Sequence, residues 1–122
     1  MSNANTTITI TSAAISGPGA VALGYSNGSG NVDETEGQGT ATVTYVLDAS
    51  VAAAGWSIVG LVPVTQPAPV DITWQVTTTA GGNTLVITDT ATAADSLDFL
   101  IQLMQGGQVY SSADPIINNE PD

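Results

Sequence analysis

The chain has 122 residues, 43% of them hydrophobic, and contains no lysine, arginine, histidine or cysteine. Its 11 acidic residues give a formal net charge of −11. This composition excludes nucleic acids and anionic membranes as partners, because proteins bind both through cationic side chains. It also excludes disulfides, and metal or catalytic sites that require His or Cys within one chain. The length fits a single domain over residues 1–122.

Alternation of apolar residues with threonine predicts β-strands along most of the chain. The first predicted strand covers residues 7–11, and we expect it to pair within its own sheet, with completion of a neighbour's sheet as the alternative. The next covers residues 40–47. The apolar faces of this and the later strands are Ala41, Val43, Tyr45 and Leu47; Ile72, Trp74 and Val76; and Leu97, Phe99, Ile101 and Leu103. Residues 85–87 are predicted to form a short buried run.

Turn signals separate these strands. Residues 17–19 and 26–31 are rich in glycine, residues 80–83 predict a hairpin, and Gly106-Gly107 suits a type I′ hairpin turn. The prolines at 63, 67 and 69 predict an edge or a crossover, since proline cannot donate to a central ladder.

Only two short stretches are compatible with a helix. In the first, residues 49–54, Asp48 is placed to cap the start and Gly55 to end the helix. The second covers residues 91–97. With strands spaced at about 8–12 residues, the pattern predicts an all-β, mostly antiparallel β-sandwich of seven to nine strands with Greek-key connections.

One short motif invites a catalytic interpretation. Thr88-Asp89-Thr90-Ala91 resembles the Asp-Thr-Gly loop of retroviral-type aspartic proteases, although Ala91 stands where glycine is expected. The alternative is a strand end whose aspartate accepts backbone N–H bonds. We favour that alternative, assign no catalytic residues and do not expect an enzyme; an acid-dyad hydrolase is the remote alternative.

Calcium is the one cofactor for which the sequence offers ligands. Asn31, Asp33, Glu34 and Glu36 supply hard oxygen atoms close to a glycine-rich loop, and calcium prefers such oxygens. The spacing departs from the EF-hand pattern, because Val32 occupies the position of the loop glycine. An acidic loop exposed to solvent is the favoured alternative, so no other cofactor and no specific metal site is expected.

The C-terminal residues carry a family resemblance. Asp114-Pro115 and Glu120-Pro121 lie within the last nine residues of the chain. This sequence resembles the DP-EP family of small bacterial proteins, named for an Asp-Pro and a Glu-Pro motif near the C-terminus. The resemblance implies an immunoglobulin-like β-sandwich, and it implies no established activity and no catalytic residues.

Three functions follow as expectations. The first is a noncatalytic β-sandwich with a structural role in association with itself or with another protein. The second is a module that binds calcium or a small ligand through acidic loop oxygens, and the third is the acid-dyad hydrolase. Divalent cations are expected to interact with so negative a surface. A cytoplasmic location is expected, because the first residues show no basic region followed by an apolar run.

Overall fold

Ten β-strands and one short helix form the computed structural model, which describes residue 3 and residues 5–78, 82–112 and 115–121. In chain order the elements are β1 (Thr6–Gly17), β2 (Ala20–Tyr25), β3 (Val32–Thr35), β4 (Ala41–Leu47), α1 (Ala49–Ala53), β5 (Ser57–Pro63), β6 (Ile72–Thr77), β7 (Thr84–Asp89), β8 (Ser96–Gln105), β9 (Gln108–Ser111) and β10 (Ile116–Glu120).

The all-β prediction is confirmed, and six of the nine strand pairs among the described residues are antiparallel as predicted, but the strand count differs from expectation. The ten strands exceed the predicted seven to nine. The difference arises partly from two short strands, β3 and β10, which carry acidic or amide residues on both faces and so lack the apolar alternation that marks the others. The sheet is also mixed, because β1 with β4, β10 with β3 and β2 with β9 are parallel pairs.

The strands follow the order β3-β10-β8-β9-β2-β1-β4-β7-β6, and β5 pairs with β8 away from this path. Strand β1 connects two parts of the sheet, because Thr6–Ile10 pairs with β4 while its second half pairs with β2. The path folds back on itself: the rings of Tyr45 on β4 and Phe99 on β8 meet edge to face with centroids 5.9 Å apart. Strands far apart in the order therefore face each other across one core.

The first predicted strand pairs within its own chain. β1 extends well beyond residues 7–11, and its register with β4 places Ile8 beside Tyr45 and Ile10 beside Leu47. Both isoleucines are buried in the core. This arrangement agrees with the intramolecular expectation, since the backbone groups and the apolar side chains of the segment are both satisfied within one molecule.

The core consists of the apolar faces that alternation predicts. Leu97, Phe99, Ile101 and Leu103 on β8 are fully buried, as is Tyr45 on β4. Trp74 packs against the core from β6 and is partly buried. The Tyr45 hydroxyl donates to the Gly30 carbonyl at 2.6 Å, which satisfies the one polar atom that this ring brings into the interior.

The turns and the helix follow local chemistry. Asp48 caps α1 by accepting from the Ser50 N–H at 3.0 Å, and Gly55 after the helix has φ +94°. Gly106 and Gly107 both have positive φ at the β8–β9 hairpin, as a type I′ turn requires. Residues 91–95 form a loop instead of a helix, since β8 already begins at Ser96. The hairpin prediction at 80–83 lies in part outside the described residues.

None of the helical structure in the described residues is long and apolar enough to cross a membrane.

Candidate functional site

The four residues that the sequence predicts as calcium ligands lie on β3 and in the chain on either side of it. Asn31 is exposed, and its Oδ1 accepts from the Ile116 N–H at 2.9 Å. Asp33 is exposed and Glu34 is buried, because successive side chains of β3 lie on opposite faces. Glu36 is half-buried after the strand ends. In the part of the chain that the structure describes, no three acidic side chains are arranged to hold a metal ion as they stand, and calcium binding by these residues stays a prediction.

A different group of acidic residues converges in the interior. Asp71 immediately precedes β6, Asp89 ends β7, Asp95 immediately precedes β8, and Asn119 lies on β10. Antiparallel pairing brings the start of β6 beside the end of β7, and the pairing of β10 with β8 brings Asn119 beside Asp95. We call Asp71, Asp89, Asp95 and Asn119 the carboxylate–amide cluster.

The amide nitrogen of Asn119 lies at the centre of this cluster. Asn119 Nδ2 is 2.9 Å from Asp95 Oδ1, 3.0 Å from Asp89 Oδ1 and 3.3 Å from Asp71 Oδ2. An NH2 group has two hydrogens, so it cannot donate a full hydrogen bond to all three carboxylates at once. The cluster therefore has more carboxylate acceptors than this one side chain can satisfy.

The loop after β7 supplies backbone donors to the cluster. Asp89 Oδ1 also accepts from the Ala91 N–H at 2.8 Å. Asp71 Oδ2 accepts from the N–H groups of Thr92 and Ala93 at 3.2 and 3.3 Å. Ala91 is fully buried with φ +52°, a conformation that normally favours glycine, and this bend folds the loop over the carboxylates.

Electrostatics disfavour the charged form of several of these groups. Burial raises the pKa of Asp89, and the charge of Asp71 raises it further. Hydrogen bonds from Asn119 and Ala91 act in the opposite direction and lower it. Burial also raises the pKa of Asp95, and a hydrogen bond that it shares with Asp71 raises this pKa further. The neighbouring Glu34 has its pKa raised by burial and by the charges of Asp89 and Asp33.

The protease-like motif lies inside this cluster. Asp89 is fully buried, and its carboxylate accepts a backbone N–H as the favoured interpretation of Thr88-Asp89-Thr90-Ala91 expects. Asp89 has no exposed surface, so this carboxylate is out of reach of a substrate in this arrangement. Asp95 is half-buried and is the most exposed member of the cluster.

Sequence reasoning found Asp89 as a motif residue and missed the cluster as a whole. Its four members come from separate elements between Asp71 and Asn119, so no spacing rule connects them. The usable signal was indirect: Asp89 and Asn119 continue the buried side of their strands, and a polar residue on an apolar face indicates an internal partner.

A second surface feature lies along β6. Among the described residues this strand pairs with β7 only, so it forms an edge of the sheet. Beside it lies an open cleft of about 420 Å³. We call this the β6 cleft; its lining residues are Ala68, Pro69, Val70, Ile72, Thr73 and Trp74. Val70 is 96% exposed, so its apolar side chain faces solvent beside an edge strand.

The C-terminal motifs are partly visible in this arrangement. Asp114 lies outside the described residues, while the Pro115 carbonyl accepts from the Phe99 N–H at 3.1 Å. Glu120 ends β10, and its carbonyl accepts from the Glu36 N–H at 2.8 Å. Both motifs therefore bracket the strand that carries Asn119.

The fold and these motifs define a small all-β protein with a ten-stranded mixed sheet. Comparison with known families agrees: the chain belongs to the DP-EP family, whose model matches residues 3–121, nearly the whole length. No curated protein shows significant similarity to the chain.

Proposed function

We propose that this protein is a noncatalytic β-sandwich of immunoglobulin-like architecture that associates with another protein through the edge of β6. The observation that supports this proposal is the combination of an edge strand and an apolar cleft on the same residues. Ile72, Thr73 and Trp74 belong both to β6 and to the lining of the β6 cleft. The cytoplasmic location expected from the sequence stays a prediction.

An edge strand offers every second N–H and C=O group for pairing with an added strand. Main-chain bonds of this kind supply affinity, and a neighbouring pocket that takes one apolar side chain supplies specificity. The cleft beside Trp74 has the size and the apolar lining for such a side chain. The expected ligand is therefore an extended segment with an apolar residue in its middle.

Charge selects the kind of partner. The formal net charge of −11 repels a second copy of the chain and attracts a basic segment. The proposed partner is consequently an extended apolar segment of another protein flanked by lysine or arginine. Self-association across the same edge is the competing outcome, and it requires salt to screen two negative surfaces.

A binding experiment with designed peptides tests the proposal. The probe is a fluorescein-labelled peptide of alternating valine and threonine with a lysine at each end, and the control peptide carries glutamate in place of lysine. We expect fluorescence anisotropy to show binding of the basic peptide only. The substitution Thr73→Arg places bulk and positive charge on the exposed face of β6 and should weaken binding at least about tenfold.

Gln108→Arg is the matched control, since it adds the same charge at an exposed position of the β8–β9 hairpin. Binding that weakens equally in both variants indicates attraction to the overall charge and contradicts an edge site. Light scattering during size-exclusion chromatography tests for self-association. A dimer that Thr73→Arg dissociates and Gln108→Arg leaves intact would replace the foreign partner by a second copy.

A further inference from the structure

Asp71 and Asp95 form a contact that requires a proton. Asp95 Oδ1 and Asp71 Oδ2 lie 2.9 and 3.3 Å from the same atom, Asn119 Nδ2. The side chains of Asp95 and Asp71 also share a hydrogen bond. A charged carboxylate only accepts hydrogen bonds, so this contact forms only when one of the two carboxyl groups carries a proton. The sequence contains no lysine, arginine or histidine that could neutralise the pair instead.

Asp95 is the member of the pair that is placed to hold the proton. Its side chain is half-buried and can exchange a proton with solvent, whereas Asp71 is only 6% exposed. Asp71 Oδ2 accepts from the N–H groups of Thr92 and Ala93, and Asp71 Oδ1 is buried without an N–H or hydroxyl donor from the described part of the chain. Asp71 therefore acts as the acceptor. Burial and the contact with Asp71 raise the pKa of Asp95, which agrees with this assignment.

The other groups around the pair are acidic or neutral. Asp89, at the end of β7, places a negative charge close to Asp95, and Glu34 on β3 interacts in turn with Asp89. From β10 the neutral amide of Asn119 donates to Asp95 Oδ1 at 2.9 Å. The neighbouring charges thus oppose ionisation of Asp95 and favour retention of its proton.

Asp71 connects this pair to the β6 cleft. Val70 and Ile72, its two neighbours in the chain, both line the cleft. The loop after β7 is attached to the same residue, because the Asp71 carbonyl accepts from the Thr90 N–H at 2.9 Å and its carboxylate accepts from two further N–H groups of that loop. A change in the surroundings of the Asp71 side chain is therefore transmitted to the wall of the cleft.

The loop after β7 is held in a conformation that depends on these contacts. Ala91 is fully buried with φ +52°, and a left-handed backbone at a residue other than glycine persists only when its surroundings hold it there. The Ala91 N–H donates to Asp89 Oδ1 at 2.8 Å, and its carbonyl accepts from the Gly37 N–H at 2.8 Å. A negative charge on Asp95 repels Asp71 and Asp89, the two carboxylates that anchor this loop.

We propose that Asp95 and Asp71 act as a proton-dependent latch on the β6 cleft. In the closed form Asp95 carries a proton and donates it to the Asp71 carboxylate, and residues 68–72 keep the position that binds the extended segment. When Asp95 loses this proton to solvent, repulsion between two carboxylates replaces the hydrogen bond, residues 68–72 become looser, and binding weakens. The inference rests on the proposed function, because it assigns the regulation of the same site.

Carbon and nitrogen NMR of the full chain tests the latch without any ligand. We expect the carboxyl carbon of Asp95 to titrate well above the ordinary aspartate value of about 4. The amide signals of Val70 and Ile72 should shift with the same midpoint. Asp95→Asn should lose this shift, whereas Asp33→Asn should retain it, because Asp33 is exposed on β3. An Asp95 signal that titrates near pH 4, or cleft amides that do not follow it, would overturn the proposal.

Peptide binding at two pH values tests the effect on the cleft. We expect calorimetric titration with the unlabelled lysine-flanked peptide to show binding at least about fivefold weaker at about pH 9 than at about pH 5. Attraction to the overall charge gives the opposite trend, because the protein becomes more negative as pH rises. Asp95→Asn keeps an N–H donor for Asp71 at every pH, so its binding should not weaken. Asp33→Asn should weaken as the unmodified chain does.

The outcomes separate the latch from the function on which it rests. Binding that is equal at the two pH values, or stronger at the higher one, would overturn the latch and support the β6 site. Weakening that persists in Asp95→Asn would assign the effect to another group and would also overturn the latch. Absence of binding at both pH values, together with the expected NMR titrations, would contradict the β6 site and support the latch.

Discussion

Asp89 shows how a single residue can be easy to notice in the sequence and hard to place. Its position after an apolar strand predicts a strand end that accepts a backbone N–H, and the Ala91 N–H does donate to it. Its complete burial is indicated only indirectly, by its place on the buried side of β7, because an aspartate at a strand end is normally solvated. Its carboxylate accepts from Asn119 on β10, and the same amide also lies beside Asp71 just before β6. Tyr45 and Ile101, by contrast, follow directly from alternation within their own strands.

The raised pKa values of Asp89, Asp95 and Glu34 give a definite pH dependence to the metal-free protein. An acid whose pKa is higher in the folded state than in the unfolded state binds more protons when folded. The free energy of unfolding therefore falls as pH rises from the unfolded values, about 4, through the raised folded values. We expect urea unfolding in EDTA to show lower stability at about pH 7.5 than at about pH 5.

Asp95→Asn should reduce this pH dependence, and Asp33→Asn should change it less. Asp48 acts in the opposite direction, because hydrogen bonds from Ser50 lower its pKa, but it is fully exposed and its effect is screened. Stability that increases steadily from pH 5 to pH 7.5 in EDTA would contradict the prediction. It would mean that the carboxylates of the cluster are better satisfied in the charged form than their surroundings indicate.

At the scale of the strand, predictability depends on whether a segment carries its own apolar pattern. β4, β6 and β8 were predicted from the alternation of their own residues, and β7 was predicted from its short apolar run. β3 and β10 were not, because each has a polar residue, Glu34 or Asn119, at one of its two buried positions, and β3 pairs with β10 alone among the described strands. The parallel pairing of β1 with β4 joins segments that are far apart in the sequence, so no local pattern predicts it.

The two halves of β1 should differ sharply in their contribution to stability. Ile10 is fully buried beside β4, whereas Ile15 is 53% exposed in the half that pairs with β2. Ile10→Ala should reduce the free energy of unfolding by about 2–5 kcal/mol. Ile15→Ala removes the same atoms and should cost less than about 0.5 kcal/mol. Urea denaturation measures both.

Equal and small effects of the two substitutions would mean that the first half of β1 does not dock on its own core. That outcome would revive the alternative in which this segment completes the sheet of a neighbouring molecule. The register of Thr6–Ile10 with Val43–Leu47 predicts the opposite, since it buries Ile8 and Ile10 within one chain.

For the whole molecule, the absence of cationic side chains makes folding depend on the solution. Folding draws 11 negative charges into a small volume, and no side chain of opposite sign offsets their repulsion. Apolar burial must outweigh this repulsion, and the core of isoleucine, leucine, valine and aromatic side chains provides it. The composition shows this dependence from the start, while the concentration of several of these charges in one buried cluster is visible only in the structure.

Raising the NaCl concentration should therefore stabilise the fold. In EDTA, which removes divalent ions, we expect the melting temperature to rise by on the order of 5 °C between about 0.01 M and 0.5 M NaCl, over which the screening length falls severalfold. Differential scanning calorimetry measures the rise, and a tetramethylammonium chloride series separates screening from sodium binding, because that bulky cation binds carboxylates weakly. Equal increases in the two salts identify screening of dispersed surface charge. A melting temperature that stays flat in both would show that the 11 carboxylates lie too far apart for their repulsion to affect folding.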